Sequence, residues 1–522
     1  MTLKNLKEKI NVNRKAVAEC SIAIAAILIL GIALAKPTIN HFPAFTHAWA
    51  QSDWYSLSIG FQNNGFDLLH PETLIYNKQF PGWWQTDNGT TITSADFPIH
   101  PYIAALLMRL FGTTAPWVFR CWTLTISLIG LFFLFLLSRR LTKNLTKSLL
   151  IVIVAATSPV YAYYFNGFLP SMPSLAFVFA GLWAYIVFLQ DKKMTYWYLA
   201  ISFLTLATLI RTSQAVPLVA ICCYEAYRMI FIDKKLQINK IQITPIVVSI
   251  LAIGGYILWN AHLRNLHGSL FLNNLVPAKS FDEVNDVINT MKGRKFCYFG
   301  KIQHLFIAET LLAAIAYMIL NKMKISRKSL IWFAAIYSFG ALLFFVAMLV
   351  QFHDHDYYFL DSLYVPLVLI FILAVRRLPE LNRWWKTIPA ILLIVFGCTM
   401  FNEAKHCIRD RINDAGDRAL QCNSNFEGSC EWLDSLGVSR DAKILTYGAY
   451  PQNSPFIKME RKGYSLMWFD NKLIDSIIHF NYDYVIIEDR FDKYELTRIA
   501  HAAENLDFMA NNGKLSIYKR KE

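Results

Sequence analysis

Asp53 stands among aromatic residues, in the stretch HAWAQSDWYSLSIGFQNNGFDLLHP, flanked by Trp49, Trp54 and Tyr55. Trp49, Ser52, Tyr55, Ser56 and Ile59 recur at helical spacing. Trp and Tyr favour the membrane–water interface, so this pattern predicts a helix lying along a membrane surface. The same long loop ends in SADFPIHPYIAALLMRLFG, where Asp96 precedes a second amphipathic helix. A carboxylate just ahead of a helix often only caps it or meets its dipole. Two carboxylates in one loop can also position and deprotonate a hydroxyl, or hold a divalent cation. Residue types and spacing leave these readings open.

Further along, QFHDHDYYFLDSLYVP gathers His353, Asp354, His355 and Asp356. Imidazole and carboxylate suit several transition metals. Consecutive side chains cannot all reach one ion, so the alternative is a polar loop that solvates helix ends. Arg211 sits in TLIRTSQ, and Arg264 lies between His262 and His267. A guanidinium there can bind a phosphate or pyrophosphate as a planar donor fork, or snorkel to lipid head groups.

The elements that must position these residues are apolar. Of 522 residues 55% are hydrophobic and only 17% are charged, below the roughly 25% of soluble chains. Apolar runs at 16–35, 115–138, 147–165, 172–190, 196–210, 214–232, 243–262, 303–320, 329–351, 361–376 and 387–401 predict about eleven transmembrane helices. The first approaches the ~20 residues of a span, which favours an uncleaved helix over a signal peptide, although Ala33-Leu34-Ala35 resembles a cleavage site. Lys and Arg alternate from loop to loop as a cytoplasmic N-terminus requires, with Lys234, Lys235, Arg376, Arg377, Arg383 and Lys386 among the internal ones. Two long loops, 36–114 and 263–302, are then external, and so is the tail. The net charge of +14 reads as this topogenic bias. The basic residues form no single face for nucleic acid.

The fold class expected is a polytopic α-helical membrane protein, residues 1–401, followed by a small external α/β domain, residues 402–522. In that domain Glu427–Leu436 and Asn471–Phe480 read as helices. Ala442–Tyr447, Tyr482–Glu488 and Leu515–Lys519 read as strands. Cys422 and Cys430 suit either a disulfide or two free thiols.

Asp53 in QSDWYS, Asp96 in ADFPIHPYIAALLMRLFG and the run HDYYFLDSLYVP together resemble the membrane-embedded GT-C class of glycosyltransferases. The nearer likeness is to bacterial relatives of the dolichyl-phosphate-mannose protein mannosyltransferases and of the lipid A aminoarabinose transferase. DAKILTYG, MERKGY and YDYVIIED resemble the tails of bacterial members. The resemblance implies a sugar donor on polyprenyl phosphate and a lipid, glycan or protein acceptor. It places the enzyme in a bacterial inner membrane with the reaction on the external face. Asp53 becomes the base or acceptor-orienting carboxylate, and Asp96 the second catalytic acid. Relatives often follow that second acid with a Lys-Pro-Pro stretch, whereas this chain has Phe97-Pro98-Ile99-His100-Pro101. Phosphate binding then passes to Arg211 or Arg264. His100, His355, Tyr357 and Tyr358 are taken as substrate contacts. The resemblance makes no cofactor certain and leaves a divalent metal ion open. The rival class is a transporter or flippase for a lipid-linked glycan. It would normally show internal repeats and mid-membrane charges, and neither is evident.

Overall fold

Proline and chain length decide which apolar runs become long helices in the computed structural model. It describes residues 3–82, 84–234, 240–380, 387–468, 471–477, 479–490 and 505–521. Among them, eight helices are long and apolar enough to cross a membrane: Arg14–Ala35, Pro116–Thr142, Ser171–Asp191, Thr212–Ile232, Lys240–His267, Lys301–Leu320, Leu330–Ala347 and Ile391–Ile412. The other three expected spans are helical but shorter. The 147–165 run divides into Leu145–Ala156 and Pro159–Tyr164, because Pro159 has no N–H to continue the ladder and starts a new helix instead. Met194–Ile210 and Tyr364–Arg377 complete the set. Lys235, Arg383 and Lys386, counted among the internal basic residues, lie outside the described residues.

The chain divides into two compact units. The first comprises Met1–Thr38, Thr123–Ile253 and Leu275–Arg409. Its helices approach closely where side chains are small, as membrane helices do. A Cβ on Gly130 would stand 2.8 Å from the Ala176 backbone. Arg139 pairs with Glu19 at 2.8 Å, tying the first span to the Pro116–Thr142 helix.

The second unit comprises Ile39–Trp122, Gly254–Asn274 and Asp410–Glu522. The first long loop and the tail therefore share one unit. Its sheet has strands β1 (Lys443–Tyr447), β2 (Lys462–Leu466), β3 (Tyr484–Glu488), β4 (Leu506–Asn511) and β5 (Leu515–Arg520), in the order β2-β1-β3-β5-β4. β2, β1 and β3 run parallel, while β5 and β4 return antiparallel. One face buries Phe426, Leu433, Ile444, Phe456, Ile486 and Ile517. The other buries Tyr447, Tyr464, Ile474, Val485 and Tyr518. Such double burial suits parallel strands. Cys422 and Cys430 are buried free thiols.

The expected strands and helices of the tail are present, and β2 and β4 are additional. β2 (KGYSL) mixes charge, glycine and hydroxyl, so no apolar run marks it. Its outer edge is covered by the first loop. Tyr76 N–H donates to Gly463 O at 2.8 Å, and Gly463 N–H donates to Leu74 O at 3.0 Å. Asn77 closes the pairing through both its amide groups on Ser465, at 2.8 and 2.9 Å. Leu74 and Ile75 then join the core of the tail. The sheet edge is thereby protected by the chain's own loop.

The helix expected to lie on a membrane surface, Ala48–Asn63, is instead buried on nearly every face. Its serines make that possible. Ser52, Ser56 and Ser58 each donate to a carbonyl three residues back, at 2.6–2.8 Å, so no hydroxyl needs water.

Gly463 meets the Ile444 carbonyl so closely that an added Cβ would stand 1.8 Å from its oxygen. Gly463→Val is expected to cost about 2–3 kcal/mol by forcing β2 away from β1. The melting temperature of the purified full chain reports this, and an unchanged value contradicts it.

Candidate active site

The Ala48–Asn63 helix places Asp53 in the interior of the second unit, 3% exposed. A buried carboxylate must be hydrogen-bonded, paired or protonated. Here amides of the tail supply the bonds. Asn453 Nδ2 donates to Oδ1 at 2.7 Å, and Gln452 Nε2 reaches both oxygens at 3.2 Å. The Trp49 indole, one helical turn back, adds another. Asn453 Oδ1 accepts from Leu74 N–H at 3.3 Å, and Gln452 Oε1 accepts from Trp84 Nε1 at 2.6 Å. Those contacts fix which end of each amide faces the carboxylate. The short helix Ser454–Met459 follows both amides directly, packing its Phe456 and Met459 into the core.

Burial raises the pKa of Asp53 to about 7, even though its hydrogen bonds and the charge of Lys78 pull it down. Lys78 is 1% exposed, and burial lowers its pKa to about 7. Its Nζ donates to Ile75 O at 2.7 Å. A buried acid and a buried amine, each poised near neutrality, are the kind of pair that proton transfer uses.

Lys78 also lies within electrostatic reach of His267. Its Cβ packs against Gly268, which would crowd any side chain there to 3.0 Å. This is the end of the Lys240–His267 helix, whose last turn carries Arg264. Arg264 is half-buried and has no carboxylate partner among the described residues. Beside Asp53, Trp49 and Trp84 each meet Trp468 edge to face, with centroids 5.4 and 5.2 Å apart, and lie tilted against each other at 5.5 Å.

Asp96 is half-buried. Its neighbour Ala95 is strapped to the Lys240–His267 helix, donating from its N–H to Asn260 at 2.9 Å and accepting from the Tyr256 hydroxyl at 3.0 Å. His100 is buried, its Nδ1 accepting from Trp122 Nε1 at 3.0 Å. Its ring lies edge-on to Phe119.

The remaining candidates belong to the first unit. Arg211 Nε donates to the buried Asp361 at 2.7 Å, and its guanidinium lies over the rings of Tyr357 and Tyr358. His355 packs against the same two tyrosines. Asp356 accepts from the Tyr164 hydroxyl at 2.6 Å, while His353 turns toward Asp354 and Asp286. The His–Asp run thus points in several directions. Among the described residues no three His, Cys, Asp or Glu side chains gather as a metal-ligand set.

Lys78, Gln452, Asn453 and Trp84 were not expected from the sequence. The signal for Lys78 was slight: a single lysine between aromatic residues in IYNKQFPGWW. The two amides carry no signal, because they lie about 400 residues from Asp53.

The architecture is that of the GT-C class. The chain superposes on ArnT from Cupriavidus metallidurans in the apo state with a TM-score of 0.60, at 11% identity, over 97% of this chain and 98% of that one. ArnT bound to undecaprenyl phosphate gives a TM-score of 0.59 at 11% identity, over 95% and 97%. The apo oligosaccharyltransferase of Archaeoglobus fulgidus gives 0.53 at 11% identity, over 94% and 72%. These structures are GT-C glycosyltransferases. Within this multi-pass membrane chain, residues 95–260 match the family model described as dolichyl-phosphate-mannose-protein mannosyltransferase. That segment takes in Asp96, His100 and Arg211, and leaves Asp53 and Arg264 outside. No curated protein matches the chain.

The raised pKa of Asp53 has a consequence for stability. Its folded pKa of about 7 exceeds the unfolded value near 4. The folded state therefore holds the proton more tightly, and this contribution is fully present below pH ~4 and lost as pH rises through ~7. Asp53→Asn carries no charge, so its melting temperature should exceed the wild type's increasingly between pH 4 and 7, with a constant gap above. A gap that is absent or reversed at pH 8 contradicts the burial of an unrelieved carboxylate.

Proposed function

We propose that the chain is a glycosyltransferase that moves a sugar from a polyprenyl-phosphate donor to an acceptor on the external face of a bacterial inner membrane. The observation that carries this reading is Asp53, a buried carboxyl held near neutral pKa beside Lys78 in a GT-C fold. The N-terminus is cytoplasmic, and the tail and the first loop are external, as the alternation of basic loops requires.

In the proposed reaction the bond between the sugar C1 and the phosphate oxygen breaks, and a bond from the acceptor oxygen to C1 forms. Asp53 takes the acceptor's proton. The electron pair leaves with polyprenyl phosphate, which needs cations. Lys78 and Arg264 suit that role best, since they share a unit with Asp53 and Arg264 lacks a carboxylate partner among the described residues. Arg211 already spends one donor on Asp361, so it serves better as a platform that holds Tyr357 and Tyr358 in place. Within the second unit the Trp49–Trp84–Trp468 cluster offers apolar faces for a sugar; within the first, His355 and the two tyrosines offer rings for a lipid head. Asp96 and His100 share the second unit with Asp53 and are further candidates for acceptor contacts. Displacement from the side opposite the leaving phosphate would invert the anomeric centre. No step is assigned to a metal. The alternative of a lipid-glycan transporter or flippase receives no support from the fold or from Asp53.

The test is mass spectrometry of envelope lipids and glycans in a strain lacking the chain. A sugar modification should vanish and return with the wild-type chain. Asp53→Asn should fold, insert and leave transfer at least about 100-fold reduced, as expected for loss of a general base. Full restoration by Asp53→Asn would overturn the assignment.

A further inference from the structure

A polar cavity of about 640 Å³ lies wholly within the first unit, and none of the residues of the Asp53 cluster lines it. Six cations from four separate segments line it: Lys192, Arg228, Lys324, Lys328, Arg376 and Arg377. Lys192 follows the Ser171–Asp191 helix in a left-handed cap conformation. Arg228 begins a π-helical turn, Arg228–Ile232, a feature often found at functional sites. Lys324 and Lys328 belong to the segment ahead of the Leu330–Ala347 helix. Arg376 and Arg377 end the Tyr364–Arg377 helix.

Only one of these six has a carboxylate partner among the described residues: Arg228, on Glu225 at 2.8 Å. Asp233 is the sole acid of the lining among the described residues. Partial burial, and the charge of Arg228 beside it, lower the pKa of Lys192. The positive-inside bias accounts for basic residues in each loop. It does not account for four segments bringing them to one cavity, where like charges repel. Convergence of that kind is stable when an anion occupies the centre.

We propose that this cavity binds the phosphodiester head group of an acidic phospholipid. The lipid source is favoured over a free phosphate by the rest of the lining. Ile186, Leu189, Ile232 and Leu330 lie among the cations, giving the start of an acyl chain an apolar wall at the end of a membrane bundle. Basic pockets between transmembrane helices on the cytoplasmic side recognise such head groups through this chemistry.

The experiment uses the delipidated full chain in neutral detergent, titrated with cardiolipin, phosphatidylglycerol, phosphatidylcholine, inorganic phosphate and pyrophosphate. Native mass spectrometry counts bound lipid, and the melting temperature reports stabilisation. Acidic lipids should be retained and should raise the melting temperature, and phosphatidylcholine should do neither. Arg376→Gln/Arg377→Gln, and separately Lys324→Gln/Lys328→Gln, should each weaken acidic-lipid binding about tenfold or more. Lys143→Gln/Lys193→Gln removes equal charge outside the cavity and should leave binding unchanged. Equal binding of phosphatidylcholine overturns the proposal, and so does equal weakening by the control pair. Stabilisation by free phosphate or pyrophosphate that matches the lipid's overturns the lipid assignment. If either cavity variant fails to fold, the other decides. If both fail, the comparison of acidic with zwitterionic lipid on the wild-type chain decides.

Discussion

The hydrogen bonds from Asn453 and Gln452 to Asp53 are the constraint on which the second unit turns. A carboxyl group 3% exposed cannot remain without partners, and its partners come from the far end of the chain. The same two amides hold Leu74 and Trp84, so the helix bearing Asp53, the first loop and the tail are tied at one point. Pairing of Leu74–Tyr76 with Gly463 repeats that tie at the sheet edge. The tail is thus part of what sets the protonation state of Asp53. In the proposed reaction it would tune the base as well as roof it.

Charge within this unit is left partly uncompensated by burial. Asp53 and Lys78 are both buried with pKa values drawn toward 7, so neither ion is fully compensated in the resting molecule. A phosphate arriving beside Lys78 and Arg264 would restore the ammonium form. An acceptor hydroxyl would give Asp53 a proton to take. Arg211 stands in contrast, since Asp361 and two tyrosine rings already satisfy it. The two arginines look alike in the sequence, and packing alone separates their parts.

What was legible in the sequence follows from the range of the interactions involved. Spans such as Ser171–Asp191 are local: about 20 apolar residues suffice to announce them. The division at Pro159 is local too, yet it shortens one expected span into two helices. Asp53 was marked only by the resemblance of QSDWYS to the GT-C class, since residue type and spacing left a helix cap equally open. Its surroundings were not, since Asn453 stands 400 positions away and an amide pair has no pattern. Lys78 was hidden for a different reason. A single lysine in IYNKQF has no motif or spacing to mark it, and only its burial sets it apart. The surface position expected for the Ala48–Asn63 helix failed because serines that satisfy themselves on backbone carbonyls read as polar but pack as apolar. β2 was missed because pairing, and no apolar run, makes it a strand.

The central claim is that the tail's amides hold a buried Asp53 near neutral pKa, and infrared titration of the purified full chain tests it most directly. The protonated-carboxyl band that Asp53→Asn deletes should titrate near pH 7, and Asn453→Ala should move that transition to higher pH by removing a bond to the charged form. A band that is already gone by pH 5, or one unmoved by Asn453→Ala, would contradict the account.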